Sequence, residues 1–120
     1  MGEKIEAFQE QRRRMNDRIL ATGTPQTQRF WALDSRVYES GALDVRTKEM
    51  LGLVASTVLR CDDCIAYHVL SCAKAGVTLK QIVEVFDVAL IVGGSITIPH
   101  IRRAHGILQE LEESGEIERE

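Results

Sequence analysis

The sequence is short of the features that define several large functional classes. It has no long hydrophobic run: the longest apolar stretch, around Val88 to Ile98, is too short and too glycine-rich to span a bilayer. It has no basic surplus, and a formal charge of −3 argues against a general nucleic-acid binder. It has no phosphate loop, because Gly93-Gly94 is not followed by Lys-Ser/Thr. Repeats, linkers and low-complexity segments are missing as well. The chain opens Met-Gly-Glu-Lys with no apolar signal core, so a cytoplasmic location is the default expectation. Cysteine is sparse, at three residues. In a reducing compartment a Cys-x-x-Cys pair points to catalysis or metal binding rather than to a structural staple.

What remains is the composition of an ordinary soluble globular protein, 44% hydrophobic and 28% charged. At 120 residues it is read as a single domain over 1–120. Arg12-Arg13-Arg14 and the acidic segment Glu110 to Glu120 read as solvated surface. Hydrophobic periodicity then predicts an all-α bundle of about six helices. Ile5, Phe8, Met15, Ile19 and Leu20 make one apolar stripe over residues 3–20. Arg12 interrupts that stripe, which suggests a partner subunit on that side. Gly23 and Pro25 break the chain, and a second helix is expected over Thr27 to Ser40, stopped by Gly41. Asp44 is a good N-cap for a third, Val45 to Leu59, with Met50, Leu51, Val54, Ala55 and Val58 as its buried face. The fourth is expected from Cys61 to Ala75 before Gly76, and the fifth from Thr78, carrying Ile82, Val85, Phe86, Ala89 and Leu90, to Gly93-Gly94. The last runs from Ile98 to Glu113 with Pro99 in its first turn. Phe8, Phe30, Trp31 and Phe86 are read as core or subunit interface.

The chemistry concentrates at Arg60-Cys61-Asp62-Asp63-Cys64-Ile65-Ala66-Tyr67-His68. If Cys61 starts a helix, then Cys61, Cys64, His68 and Cys72 share an arc of roughly 80°, with Asp62 and Asp63 turned elsewhere. Two sulfurs then lie within disulfide reach and an imidazole sits one turn further on. Such a set is a redox dithiol with a base beside it, or three ligands of a metal. Zinc would need a fourth ligand or an open position, and Cys72, His100 and His105 are the candidates. Ligands on a single helix approach from one side, which suits a tetrahedral ion poorly. His100 and His105 are about 140° apart around a helix and make no helical metal pair. For the dithiol, a helix N-terminus, His68 and Arg60 all favour a thiolate. Cys64, four residues from His68, is the better candidate for it, and Cys61, at the open end, is read as the more accessible sulfur. Cys72 is assigned to core packing. Glu49 is a costly choice on an otherwise apolar helix unless it is paired; the alternative is an exposed first-turn glutamate helped by the helix dipole.

Thr47-Lys48-Glu49 followed by Cys61-x-x-Cys64-x-x-x-His68 resembles the carboxymuconolactone decarboxylase and alkylhydroperoxidase D-like superfamily. The likeness continues through Gly76 and Gly93-Gly94 to Pro99. It implies an all-helical, alkylhydroperoxidase D-like fold assembled as a trimer or hexamer. It also implies a peroxide reductase in which Cys64 becomes a sulfenic acid, Cys61 closes the disulfide, and Glu49 and His68 relay protons through water. No cofactor or metal is implied beyond an external dithiol donor, a reductant protein; the substrate would be a peroxide or other small molecule, with no nucleic acid or membrane as partner. Two departures stand out: Asp63 replaces the aromatic residue that many hydroperoxidase members carry before the second cysteine, and Gln81 replaces a usual glutamate. A lyase acting on a small organic acid, as in the decarboxylase branch, and a non-catalytic metal-binding or assembly module are the alternative readings.

Overall fold

The computed structural model describes residues 2–120 and contains six α-helices and no strand among them. In order they are α1 (Glu3–Thr22), α2 (Pro25–Val37), α3 (Val45–Val58), α4 (Asp62–Lys74), α5 (Leu79–Gly93) and α6 (Ile98–Ser114), the last entered through a 3₁₀ turn at Ser95–Thr97. None is long and apolar enough to cross a membrane.

Local chemistry sets most of the boundaries. Asp44 caps α3 by accepting from the Thr47 N–H, and Thr78 and Gln81 form a reciprocal capping box at the head of α5. Arg46 donates to that same Gln81 at 2.8 Å. Helix α2 starts two residues earlier than its apolar pattern suggests. Thr24 is its cap and Pro25 its first residue, where a fixed φ and a missing N–H cost nothing. It also ends earlier, at Val37, because Lys48 of α3 donates to the carbonyls of Val37 and Glu39 at 2.8 and 2.6 Å. Between α3 and α4, Arg60 adopts a left-handed φ of 61°. For a residue with a β-carbon this costs about 1 kcal/mol, and it allows the chain to reverse direction within three residues.

Helix α3 packs on α4 and α5, α4 on α6, and α1 on α6. The core between them holds Ile5, Leu53, Ile65, Val69, Ile82, Phe86 and Leu108. The buried face of α3 is not the apolar one that its sequence offers. Glu49, Leu53, Ser56 and Thr57 point inward, while Leu51 and Ala55 face out. Two of these polar groups are bonded: Thr57 donates to the Leu53 carbonyl at 2.8 Å, and Glu49 pairs with His68 of α4. Helix α2 buries no residue at all, so Phe30 is surface rather than core, 66% exposed. In α1 only Ile5 is buried, and Met15 and Ile19 are exposed.

The acidic C-terminal segment is not simply a solvated tail. Ile117 is buried, and the carbonyls of Glu118 and Arg119 accept from the Leu79 and Lys80 N–H groups. Glu110 accepts from the backbone N–H groups of Lys4 and Ile5, at 2.9 and 3.0 Å. It supplies from α6 the N-terminal acceptor that Gly2, the local cap of α1, has no side chain to provide. Burial raises the Glu110 pKa, but the two N–H bonds and Lys4 outweigh it and leave it below the ordinary value of 4.5. A depressed carboxylate pKa stabilises the fold above the unfolded value and loses that effect as pH falls through the lower folded one. Protection of the first-turn amides of α1, taken relative to their intrinsic exchange rates at each pH, is therefore expected to fall as the solution is taken below about pH 4.5, the unshifted value, and Glu110→Ala should show the same loss of protection at pH 7. Exchange in this turn that matches between Glu110→Ala and the parent would show that α1 is held elsewhere.

Candidate active site

Helix α4 begins one residue later than a helix started by Cys61. Cys61 is its N-cap, in an extended conformation, and its sulfur accepts from the Cys64 N–H at 3.3 Å. The two cysteines are joined as a disulfide, with Cα atoms 5.2 Å apart. Cys64 is the exposed member and Cys61 is half-buried, the reverse of the sequence expectation. The reason is the tight turn before α4: the Cys61 N–H is tied back to the Ser56 carbonyl, which tucks this residue against α3.

The two aspartates behave differently from each other. Asp62 is drawn to α6, where His100 Nδ1 and Arg103 contact its carboxylate at 2.8 and 3.0 Å. Asp63 does not turn away from the sulfurs. It lines the same cavity as Cys64, the residue next to it.

One turn deeper, His68 Nδ1–H donates to Glu49 Oε1 at 2.8 Å. Both residues are buried, at 7% and 6% exposure, and the contact is direct rather than carried by water. A carboxylate at Nδ1 keeps the proton there and leaves Nε2 as an acceptor. The Tyr38 hydroxyl lies 3.4 Å from that Nε2. Burial, then the charge of Glu49, raises the Tyr38 pKa, so the phenol stays protonated and able to donate. His68 makes its bonds to Glu49 and Tyr38, and not to Cys64, whose sulfur is held by Cys61.

Two contributors were not singled out in the sequence. Tyr38 sits at the end of an exposed helix, 30 residues from His68, with no local pattern to mark it. Gly52 faces the imidazole: a β-carbon there would stand 2.5 Å from His68 Cε1 and 2.8 Å from Nε2. Its spacing of three residues after Glu49 places both on one face of α3, and this was the available signal.

A cavity of about 380 Å³ opens over the site. Helix α4 contributes Asp63, Cys64, Tyr67 and His68 to it, and α2 contributes Asp34. Helix α1 forms the remaining wall. Its Arg12 stacks over the Tyr67 ring, 4.2 Å from the centroid, so this arginine is not simply solvated. Arg13 fits the solvated reading, pairing with Glu10 on the surface.

Cys72 is fully buried on the core side of α4, and desolvation followed by the Glu49 charge pushes its thiol up to about 12. His105 packs against Phe86, with ring centroids 5.9 Å apart. No group of three or more His, Cys, Asp or Glu side chains is arranged to hold a metal ion among the described residues.

Gly52→Ala is expected to displace the His68 ring, destabilise the fold by roughly 1–3 kcal/mol and disrupt the His68–Glu49 bond. Imidazole proton shifts in NMR spectra, alongside thermal melts, check this. An unchanged His68 resonance in a folded Gly52→Ala protein would show that the ring does not depend on the glycine.

Known proteins share this architecture. Two crystal structures of a Thermotoga maritima protein superpose with TM-scores of 0.89 and 0.84 at 56% and 55% identity, each covering 92% of this chain and 96% of the other. That protein is described as a carboxymuconolactone decarboxylase family member for which a part in an antioxidative response has been suggested. A family member from Legionella pneumophila, without ligand, shares the fold at a TM-score of 0.78 and 22% identity, over 93% of this chain and 97% of its own. A Paracoccus denitrificans relative, protein 4 of the cox locus, is 34% identical over 83 residues, which is 69% of this chain and 75% of the relative. Residues 25–105 match the sequence pattern of the family, and the chain belongs to the carboxymuconolactone decarboxylase family.

Proposed function

We propose that the protein is a thiol-dependent peroxide reductase that cycles through the Cys61–Cys64 disulfide. The observation that carries this reading is an exposed disulfide facing a cavity that also receives a histidine with its tautomer set by a buried glutamate. The antioxidative role suggested for the Thermotoga maritima protein points the same way.

In the reduced protein, His68 takes the Cys64 proton at Nε2, the nitrogen that the Tyr38 hydroxyl also approaches. The thiolate attacks the terminal peroxide oxygen; the S–O bond forms as the O–O bond breaks. The alkoxide leaves and takes the proton from His68, giving an alcohol and a Cys64 sulfenic acid. Cys61 then attacks the Cys64 sulfur, the S–S bond forms, and hydroxide leaves with the Cys61 proton as water. The peroxide gains two electrons and the sulfur pair loses two. An external dithiol regenerates the pair. Given the exposures, it attacks Cys64, and the Cys61 thiolate leaves into its N-cap position, where the Cys64 N–H and the helix dipole stabilise it. Such a donor is available in the reducing cytoplasm, where this reading places the protein.

Removing the nucleophile should cost on the order of 10³-fold or more in peroxide turnover for Cys64→Ser. Cys61→Ser should accumulate a sulfenic acid that dimedone traps. Tyr38→Phe should lower kcat by about tenfold. Full turnover in Cys64→Ser, or activity that survives thiol-blocking reagents, would instead favour the lyase chemistry after which the family is named.

The same reading includes a homo-oligomer, a trimer or hexamer. Its support is the apolar surface left open on α2 and at the end of α5, where Ile91 is 87% and Val92 66% exposed. Light scattering on the purified protein is expected to give a multiple of the 13.5 kDa chain that falls with Ile91→Glu. A monomer at micromolar concentration would remove this element.

A further inference from the structure

Behind the Arg12–Tyr67 stack lies a second cavity, of about 400 Å³. It shares Phe8, Arg12, Asn16 and Tyr67 with the cavity over the dithiol. The two differ in the sign of their charge. Asp34 and Asp63 line the first, whereas the second is lined by Arg12, Arg13 and Lys74 and by no carboxylate. Arg13 is already paired, with Glu10 at 2.8 Å and Asp17 at 3.8 Å. Arg12 and Lys74 have no carboxylate within ion-pairing distance among the described residues.

The rest of the lining is amphiphilic, with Phe8 and Leu70 beside Ser71. An apolar wall with two uncommitted cations suits a molecule that has a carbon body and an anionic end. Arg12 is well made for the junction. Its flat face rests on Tyr67, and the edge of a stacked guanidinium still presents N–H donors in a fork that matches a carboxylate. Tyr67 in turn lies against His68, with ring centroids 5.3 Å apart, so the same stack borders both the anion-binding side and the catalytic side. Helix α1, which brings Arg12 and Phe8, lies outside residues 25–105, the part that matches the family.

We infer that the second cavity is an anion subsite: the substrate of the dithiol carries a carboxylate that binds between Arg12 and Lys74, while its apolar body passes Phe8 and the Arg12–Tyr67 stack to reach Cys64. The assignment of the bound molecule as a peroxide rests on the proposed function; the anion subsite does not.

Binding is tested on the oxidised protein, which cannot turn over, by titrating it with octanoate and with octan-1-ol and following amide shifts. Octanoate is expected to bind more tightly than octanol. Arg12→Gln and Lys74→Gln should each reduce that preference by roughly fivefold, the scale of one partly exposed charge pair, and salt should reduce it further. Equal affinity for acid and alcohol, or a preference that neither variant changes, would overturn the subsite. Turnover of linoleic acid hydroperoxide against its methyl ester then separates the two ideas. A higher kcat/KM for the acid, lowered toward that of the ester in Arg12→Gln, supports both. Octanoate preference without turnover of either peroxide keeps the subsite and removes the peroxidase. Turnover with no preference for the acid keeps the peroxidase and removes the subsite.

Discussion

The contact between Glu49 and His68 constrains more of this molecule than any other. An ionisable pair below one-tenth exposure loses most of its hydration, and removing either partner from such a pair costs about 3–5 kcal/mol. The surrounding structure is arranged so that neither partner is left alone. Helix α3 turns its polar side inward to present the carboxylate, and it carries glycine at 52 so that the imidazole can lie against its backbone. Lys48, next to Glu49, reaches outward and holds the end of α2, and that end delivers Tyr38 to the far nitrogen of the ring. The carboxylate, the approach of Tyr38 and the room for the imidazole are thus all set by neighbouring residues of one helix.

Helix α4 separates the two halves of the chemistry along its axis. Its N-terminus holds the disulfide, with Cys64 exposed, Cys61 half-buried and the Cys64 N–H directed at the Cys61 sulfur. Its second turn holds the buried histidine, whose tautomer is set by a carboxylate. Asp62, the residue between Cys61 and Asp63, bonds to His100 and Arg103, so its negative charge is balanced on the α6 side rather than facing the sulfurs. Asp63 remains at the cavity, beside Cys64.

The site is completed by elements with little core of their own. Helix α1 is attached through Ile5 and Glu110, yet it walls the cavity, and α2 reaches the site only through its last residues.

Much of this was readable from the chain. The six helices, their caps at Asp44 and Thr78, the grouping of Cys61, Cys64 and His68 and the suspicion attached to Glu49 follow from local rules of spacing, capping and the cost of burying charge, which act within a turn or two. The pairing of α3 with α4, and with it the direct bond between Glu49 and His68, could be suspected from the family signature but was placed only by packing. Long-range contacts decided the rest. Tyr38 carries no local mark, and the marks that Gly52 and Arg12 do carry, a spacing of three from Glu49 and a break in an apolar stripe, do not say which side chain each will meet. The buried face of α3 departs from its apolar pattern for the same reason: hydrophobic periodicity assumes that polar groups seek water, and here Glu49 meets His68 of α4 while Thr57 bonds to its own helix. Local physics determined which helices form and where the sulfurs sit; only the tertiary structure decided which side chains meet across the cavity, because that depends on partners tens of residues away.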